Sequence, residues 1–525
     1  TLSPDLTRPA AGPQPPLGGG PADFEKVAGC GVIYTIAPSP RDADEIWAGT
    51  DDGFIQLTRD GGKTWKNVTP PSLGPWSMVS LMDASHFDAG SAYAAIDRHQ
   101  LDDYRPYIVR THDYGGTWKE VTAGIPDGCY VHVVREDPGR KGLLYAGTER
   151  GVFVSFDDGD HWQSLQLNLP GAPVHDLVVH GDDLVAATHG RSFWILDDIT
   201  ALRELNAQVT GSEAYLFKPA VAIRLRPRVF DGTPLPPEEP AGQNPPMGAV
   251  IDYELQPEPS GDVRLEILSA QGKPIRQFSS ADKPAEPPRA PVVTAHWLQH
   301  PAVLTKQAGM NRFVWDLRYP PPPLSGRSDS FSPRGLMVLP GDYQARLTMN
   351  GHGYVQPFKV ELDPRVKTSR ADLERQFTFE QQVIGALTNA RNLNIAVRDL
   401  NTKLGAAGKS LEAKPETADI AQQVRALIRK VGPLIGERGA EAAADAASSS
   451  LDVPRISSLL TQTFAAADGA DAAPTDACVA AAHKAQEMLA GARAAWGAIK
   501  KQDVPKLNDL LRQRSLEQVE VLDDL

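Results

Sequence analysis

The chain has 525 residues, a net charge of −13 and a pI of about 5.4, a length that holds about two to four domains. The acid excess opposes nonspecific nucleic-acid binding, which needs basic patches to displace counterions. Three cysteines (Cys30, Cys129 and Cys478) make no disulfide framework, and no run of about 18 apolar residues is present to span a membrane.

Residues 1–30 are a Pro/Gly-rich lead-in. Its Gly18-Gly-Gly20 run lacks both the preceding strand and the Gly-Lys-Ser/Thr of a phosphate loop. No signal peptide is visible and residue 1 is Thr, so the chain reads as N-terminally truncated. Leu2–Thr7 reads as the tail of an earlier repeat. Cys30 and Cys129 read as two buried thiols rather than a pair.

Residues 31–200 divide into four similar units. Each has an apolar second strand: Ile46–Thr50, Tyr93–Ile96, Leu144–Thr148 and Leu184–Thr188. A third strand follows: Phe54–Thr58, Tyr107–Thr111, Val152–Phe156 and Ser192–Leu196. Short β-branched and aromatic runs at even spacing, with Gly/Asp turns between them, predict an all-β array. In the first three units a template [S/T]-x-D-x-G-x-[T/H]-W comes next. It reads Thr58-Arg-Asp60-Gly-Gly62-Lys-Thr64-Trp65, Thr111-His-Asp113-Tyr-Gly115-Gly-Thr117-Trp118 and Ser155-Phe-Asp157-Asp-Gly159-Asp-His161-Trp162. The copies start at 58, 111 and 155, about the spacing of one four-stranded propeller blade. This is the Asp-box. The fourth unit lacks it and runs into Asp197-Asp198-Ile-Thr200, with Thr200 expected to cap a short helix. Four units are few for a closed propeller of roughly 4 to 8 blades. The array is therefore expected to be completed by missing N-terminal blades or by another chain.

Residues 201–247 read as a Pro-rich linker. Residues 248–365 alternate with period two around Gly-Asp and Asn-Gly turns, which predicts an immunoglobulin- or fibronectin-like β-sandwich. Residues 370–525 switch to helical periodicity, with a low-complexity connector near 437–450. The expected fold class is mainly β: a partial propeller, then a sandwich, then a helical region.

In the Asp-box the carboxylates of Asp60, Asp113 and Asp157 are expected to accept turn N–H groups. Gly62, Gly115 and Gly159 supply positive φ, and Trp65, Trp118 and Trp162 bury aromatic area between sheets. All these roles are structural. The strand 3–4 turns mark one face of the array, so the strand 2–3 turns lie on the other. Those turns are polar: Asp51 and Asp52; Asp97, Arg98 and His99 with Asp102, Asp103, Tyr104 and Arg105; Glu149 and Arg150; His189 and Arg191. Polar loops on a rigid scaffold are where binding residues concentrate. The expected ligand-binding residues are Arg98, His99, Tyr104, Arg105, Arg150, His189 and Arg191. A glycosidase would need two carboxylates about 5 to 9.5 Å apart, drawn from Asp51, Asp52, Asp102, Asp103 and Glu149. The histidines show no metal-ligand spacing, and neither metal nor cofactor is expected.

The stretches Ile46–Trp65, Asp83–Trp118 and Leu143–Asp198, including Thr188-His-Gly-Arg-Ser-Phe-Trp194, resemble bacterial Asp-box proteins. These carry the labels BNR-repeat glycosyl hydrolase and sortilin/VPS10-type propeller. Gly309–Arg318 and Pro340-Gly-Asp-Tyr343 look like the sandwich that follows in them. The resemblance implies a peptide, protein or glycan ligand and an extracytoplasmic location. It transfers no catalytic residue, because the Phe/Tyr-Arg-Ile-Pro segment of sialidases and the cysteine-rich module of sortilins are both absent. A ligand-binding propeller is the leading expectation. A glycoside hydrolase using carboxylates shared with missing blades is the alternative.

Overall fold

The computed structural model describes residues 2–7, 31–226, 242, 244–283, 303–322, 334–412, 415–437 and 451–522. It forms two compact units, Thr1–Ser212 and Glu213–Leu525. Cys30, most of the lead-in and residues 438–450 of the expected connector lie outside the described residues.

The first unit is built from four antiparallel meanders in which strand order follows chain order. The first holds β1 (Ile33–Pro38), β2 (Ile46–Thr50), β3 (Ile55–Thr58) and β4 (Lys66–Asn67). The second holds β5 (Met78–Ala84), β6 (Ala92–Asp97), β7 (Ile108–Thr111) and β8 (Lys119–Glu120). The third holds β9 (Val131–Glu136), β10 (Leu144–Thr148), β11 (Gly151–Ser155) and β12 (Gln163–Ser164). The fourth has three strands, β13 (Val174–His180), β14 (Asp183–Thr188) and β15 (Phe193–Leu196). First strands pack on first strands: β1 on β5, β5 on β9 and β9 on β13.

Side-chain alternation explains why the middle strands are apolar on both faces. Along β6, Ala92, Ala94 and Ile96 join a core with Trp47 and Ile55 of the first sheet. Tyr93 and Ala95 turn the other way, into a core with Val131 and Phe153 of the third. The third and fourth sheets share Tyr145, Val154, Leu177 and Leu184. The outermost faces carry exposed apolar side chains: Tyr34 and Ile36 on β1, Val178 on β13, and Phe193 and Ile195 on β15.

Each first strand bulges at the same place. The register skips Tyr34 opposite β2, Ser80 opposite β6, His132 opposite β10 and His175 opposite β14. A bulge leaves one residue out of the ladder and re-aims its side chain.

After β15 the chain forms two short helices, α1 (Thr200–Glu204) and α2 (Ala207–Thr210). Thr200 is not the cap but the first helical residue. Its N–H and hydroxyl both donate to the Asp198 carboxylate two residues earlier, so Asp198 does the holding.

In the second unit, the expected 201–247 linker contains two strands. These are β16 (Ala214–Leu216) and β17 (Ala222–Arg224), three-residue runs too short to show a period. β16 pairs with β18 (Ala249–Leu255), which pairs with β21 (Gly309–Trp315). The other sheet has the order β17, β23 (His352–Leu362), β22 (Gly341–Met349), β19 (Arg264–Ser269), β20 (Pro274–Ser279). Both sheets enclose one core centred on Trp315, Tyr253 and Leu265. The helical region comprises α3 (Arg370–Glu412), α4 (Ala418–Val431), α5 (Val453–Asp468), α6 (Asp476–Ala498) and α7 (Val504–Gln513). Leu387, Leu400, Leu460 and Trp496 anchor its core. Sheet and helices meet at a buried charge cluster. Arg224 pairs with Asp471 at 2.8 Å and Arg318 with Asp468 at 3.1 Å. Arg226 reaches both aspartates. Burial pushes Glu380 of α3, beside them, up to about 7.

Candidate functional site at the loop end of the meanders

The two ends of the meanders differ in chemistry. At the strand 3–4 end, one hydrogen-bond pattern recurs three times. The carboxylates of Asp60, Asp113 and Asp157 accept the N–H of Thr64, Thr117 and His161 at 2.9, 2.7 and 2.8 Å. The hydroxyls of Thr58, Thr111 and Ser155 each donate to the same carboxylate at 2.9 Å. They also accept from Gly62, Gly115 and Gly159, whose φ values are +94°, +74° and +89°. Bonds from Thr64 hold Asp60 down at about 2. Trp162 is buried, whereas Trp65 and Trp118 are half-buried. Each carboxylate thus spends three of its roughly four acceptor sites on its own turn, which ties it to a structural role.

At the strand 2–3 end the candidate residues separate into two groups. The first closes its bonds locally. Asp51 accepts from the Val32 N–H at 2.7 Å, with burial raising its carboxyl. Asp52 is buried and accepts from the Thr50 hydroxyl. Asp103 takes Arg98 at 3.2 Å, Arg105 at 2.9 Å and the Tyr107 hydroxyl at 2.8 Å; Arg105 above all holds it far below the usual carboxylate range. Arg98 also donates to Ser77 at 2.8 Å. Exposed Asp102, at φ +56°, closes the short turn after His99. Arg150 lies by Gly128, and the carbonyl of exposed Arg191 accepts from the Trp194 indole N–H at 2.9 Å.

The second group forms a continuous row of rings across three sheets. Tyr104 lies 6.1 Å, centroid to centroid, from Tyr130, and His99 stacks on Tyr130 at 4.9 Å. Tyr130 meets His132 edge-on at 5.1 Å. His132 stacks on His175 at 4.3 Å, and His175 meets His189 at 5.1 Å. Two carboxylates back the row. Asp97 is 3% exposed; it contacts His99 Nδ1 at 2.7 Å and His132 Nδ1 at 3.7 Å. Glu149 lies 3.3 Å from His132 Nε2. It also lies beside the Tyr130 hydroxyl, whose pKa is raised by burial first and by Glu149 next. Burial, followed by the nearby His175, pushes His132 below its ordinary value, against the pull of Glu149 and Asp97. His175, His189 and Tyr104 are exposed.

His99, Tyr104, Glu149 and His189 of the expected residues thus come together. Tyr130, His132 and His175, which complete the row, were not singled out as binding residues. His132 and His175 are the bulge residues of β9 and β13, each preceded by Val (Val131-His132, Val174-His175). Aligning the first strands of the repeats is the signal that finds them. Chemically, the row offers flat faces for stacking and imidazole and phenol hydrogen-bonding groups. Among the described residues, no group of three His, Cys, Asp or Glu side chains could hold a metal ion.

No protein-family model matches the chain, and no curated protein matches it. Solved structures do. YCF48 bound to D1 peptide is 18% identical, with a TM-score of 0.26, over 31% of this chain and 51% of that one. YCF48 from Cyanidioschyzon merolae is 17% identical, with a TM-score of 0.26, over 32% and 54%. The GH74 xyloglucanase from Xanthomonas campestris is 15% identical, with a TM-score of 0.26, over 31% and 29%. The matched stretch spans about half the length of the YCF48 chains.

Proposed function

We propose that residues 31–200 are four blades of an Asp-box β-propeller and that the ring row from Tyr104 to His189 binds a peptide or glycan. The sheets of residues 214–362 act as an immunoglobulin-like sandwich and the helices as an appended bundle. Further blades, or another chain, cover the apolar outer faces of the first and fourth sheets. The protein works in an extracytoplasmic compartment. The observation that carries this reading is the row itself: five adjoining ring contacts, three of whose members reach solvent, at the end of the sheets opposite the Asp-box turns. Aromatic platforms cost little conformational entropy on binding and suit sugar faces and peptide side chains.

The test is a peptide and glycan array probed with the wild-type chain and with Tyr104→Ala/His175→Ala, both positions being exposed. Hits lost in the double variant support the reading; hits unchanged would sink it. A glycoside hydrolase is the second reading: of the carboxylates Asp51, Asp52, Asp102, Asp103 and Glu149, Glu149 stands at the ring row, 3.3 Å from His132 Nε2. Release of reducing sugar from xyloglucan, abolished in Glu149→Gln, would favour it over simple binding.

A further inference from the structure

The fourth sheet is one strand short, and the place of that strand is a pocket. In the first three sheets, strand three pairs with a two-residue fourth strand. Among the described residues nothing pairs with the outer edge of β15. Beside that edge lies an open, mostly apolar groove between the third and fourth sheets, lined by Val152, Leu165, Leu169, Leu184, Ala186 and Trp194.

The internal repeat shows what such a pocket holds. At the preceding junction, Ile108, Val121, Ile125, Leu144, Ala146 and Phe153 share one core with Trp162. Their counterparts one repeat on, Val152, Leu165, Leu169, Leu184, Ala186 and Trp194, all line the pocket. The match extends to the backbone. Val68, Val121 and Leu165 each donate their N–H to the start of strand three (Ile55, Ile108, Val152) at 2.9, 2.9 and 2.8 Å. The carbonyls of Val68 and Val121 accept the indole N–H of the next sheet's tryptophan, Trp118 at 2.7 Å and Trp162 at 2.9 Å. The Leu165 carbonyl is the corresponding acceptor. The fourth unit has no Asp-box, so it carries no counterpart of Trp118 or Trp162; its Trp194 stands opposite Ala186, where Phe153 stands opposite Ala146.

We propose that the free edge of β15 and its pocket take an extended segment of a partner protein, added as a fourth antiparallel strand, with a tryptophan seated as Trp162 is in the third sheet. An unpaired edge supplies main-chain hydrogen bonds and the pocket supplies side-chain selectivity, the two elements of recognition by strand addition. The site is separate from the ring row and does not depend on what binds there.

The probe is a fluorescein-labelled synthetic peptide with the chain's own sequence from Asp157 to Gln166, titrated into the full chain and read by anisotropy. The expected Kd is roughly 10 to 300 μM. Replacing the peptide's Trp162 by Ala weakens binding by about tenfold or more, and saturating peptide slows amide exchange at 193–196. In the protein, Leu167→Glu alters a pocket-lining side chain that is 71% exposed, so folding is spared and binding falls by about tenfold. Absence of binding at about 1 mM, or binding indifferent to both changes, overturns the proposal. So does concentration-dependent dimerisation that Leu167→Glu abolishes while the peptide stays unbound, which would make the occupant a second copy.

Discussion

At the scale of single residues, the strand 3–4 turns and the ring row make opposite demands on their side chains. The Ser155 hydroxyl is fully buried; it donates to Asp157 and accepts the Gly159 N–H. Ser155→Ala strands that N–H and should cost about 1–2 kcal/mol of unfolding free energy, measured by urea denaturation, while array binding stays unchanged. His132 is held below its ordinary pKa by burial and by His175. A histidine depressed in the folded state remains neutral there while the unfolded chain takes up a proton. Its contribution to stability is therefore present above the unfolded value of about 6.5 and is lost as pH falls below it. Removing the stacked ring in His175→Ala relieves both causes. The His132 midpoint, followed by NMR titration of its ring proton, should move upward.

Strands and helices were legible where a pattern is long or repeated. Ser/Thr, Asp, Gly and Trp in register marked three turns, and apolar stripes marked the segments from 370 onward, because both report a period. β16 and β17 are three residues each, and no period survives at that length. The row was half legible. Its turn residues, such as His99 and Glu149, stand out as polar breaks, whereas His132 and His175 sit inside strands and meet only through topology, 43 residues apart in sequence (132 to 175). The bulges that present them depend on small partners. Gly147 faces the His132 bulge, and a Cβ there would stand 2.5 Å from Val133 and 2.7 Å from the Val174 carbonyl. Gly147→Ala should cost about 1–3 kcal/mol in a thermal melt and weaken ligand binding in parallel, since the clash falls between the two strands that hold the stacked imidazoles.

At the scale of the whole molecule, the two units carry different kinds of stability. The first is a stack of apolar interfaces whose buried carboxylates, Glu45, Asp97, Glu136 and Asp137 among them, are held one by one through hydrogen bonds such as Ser85 Oγ to Glu136. The second joins sheet to helices through Arg224, Arg226, Arg318, Asp468, Asp471 and Glu380. Glu380 is pushed up to about 7 by burial and by Asp468, against the pull of the three arginines. Its proton is thus held more tightly in the folded chain than in the unfolded one. The corresponding stability is complete below about 4.5 and lost as pH rises to about 7. Glu380→Gln keeps the shape, removes the titration and should flatten the decline in urea midpoint between pH 5 and 7.5.

The most direct measurement is calorimetric titration of the strongest array ligand into three proteins: wild type, His175→Ala and Ser155→Ala. If the ring row is the binding site, His175→Ala weakens the ligand by about tenfold or more and Ser155→Ala leaves Kd unchanged. An unchanged Kd in His175→Ala, or a loss confined to Ser155→Ala, would contradict the assignment of function to the face opposite the strand 3–4 turns.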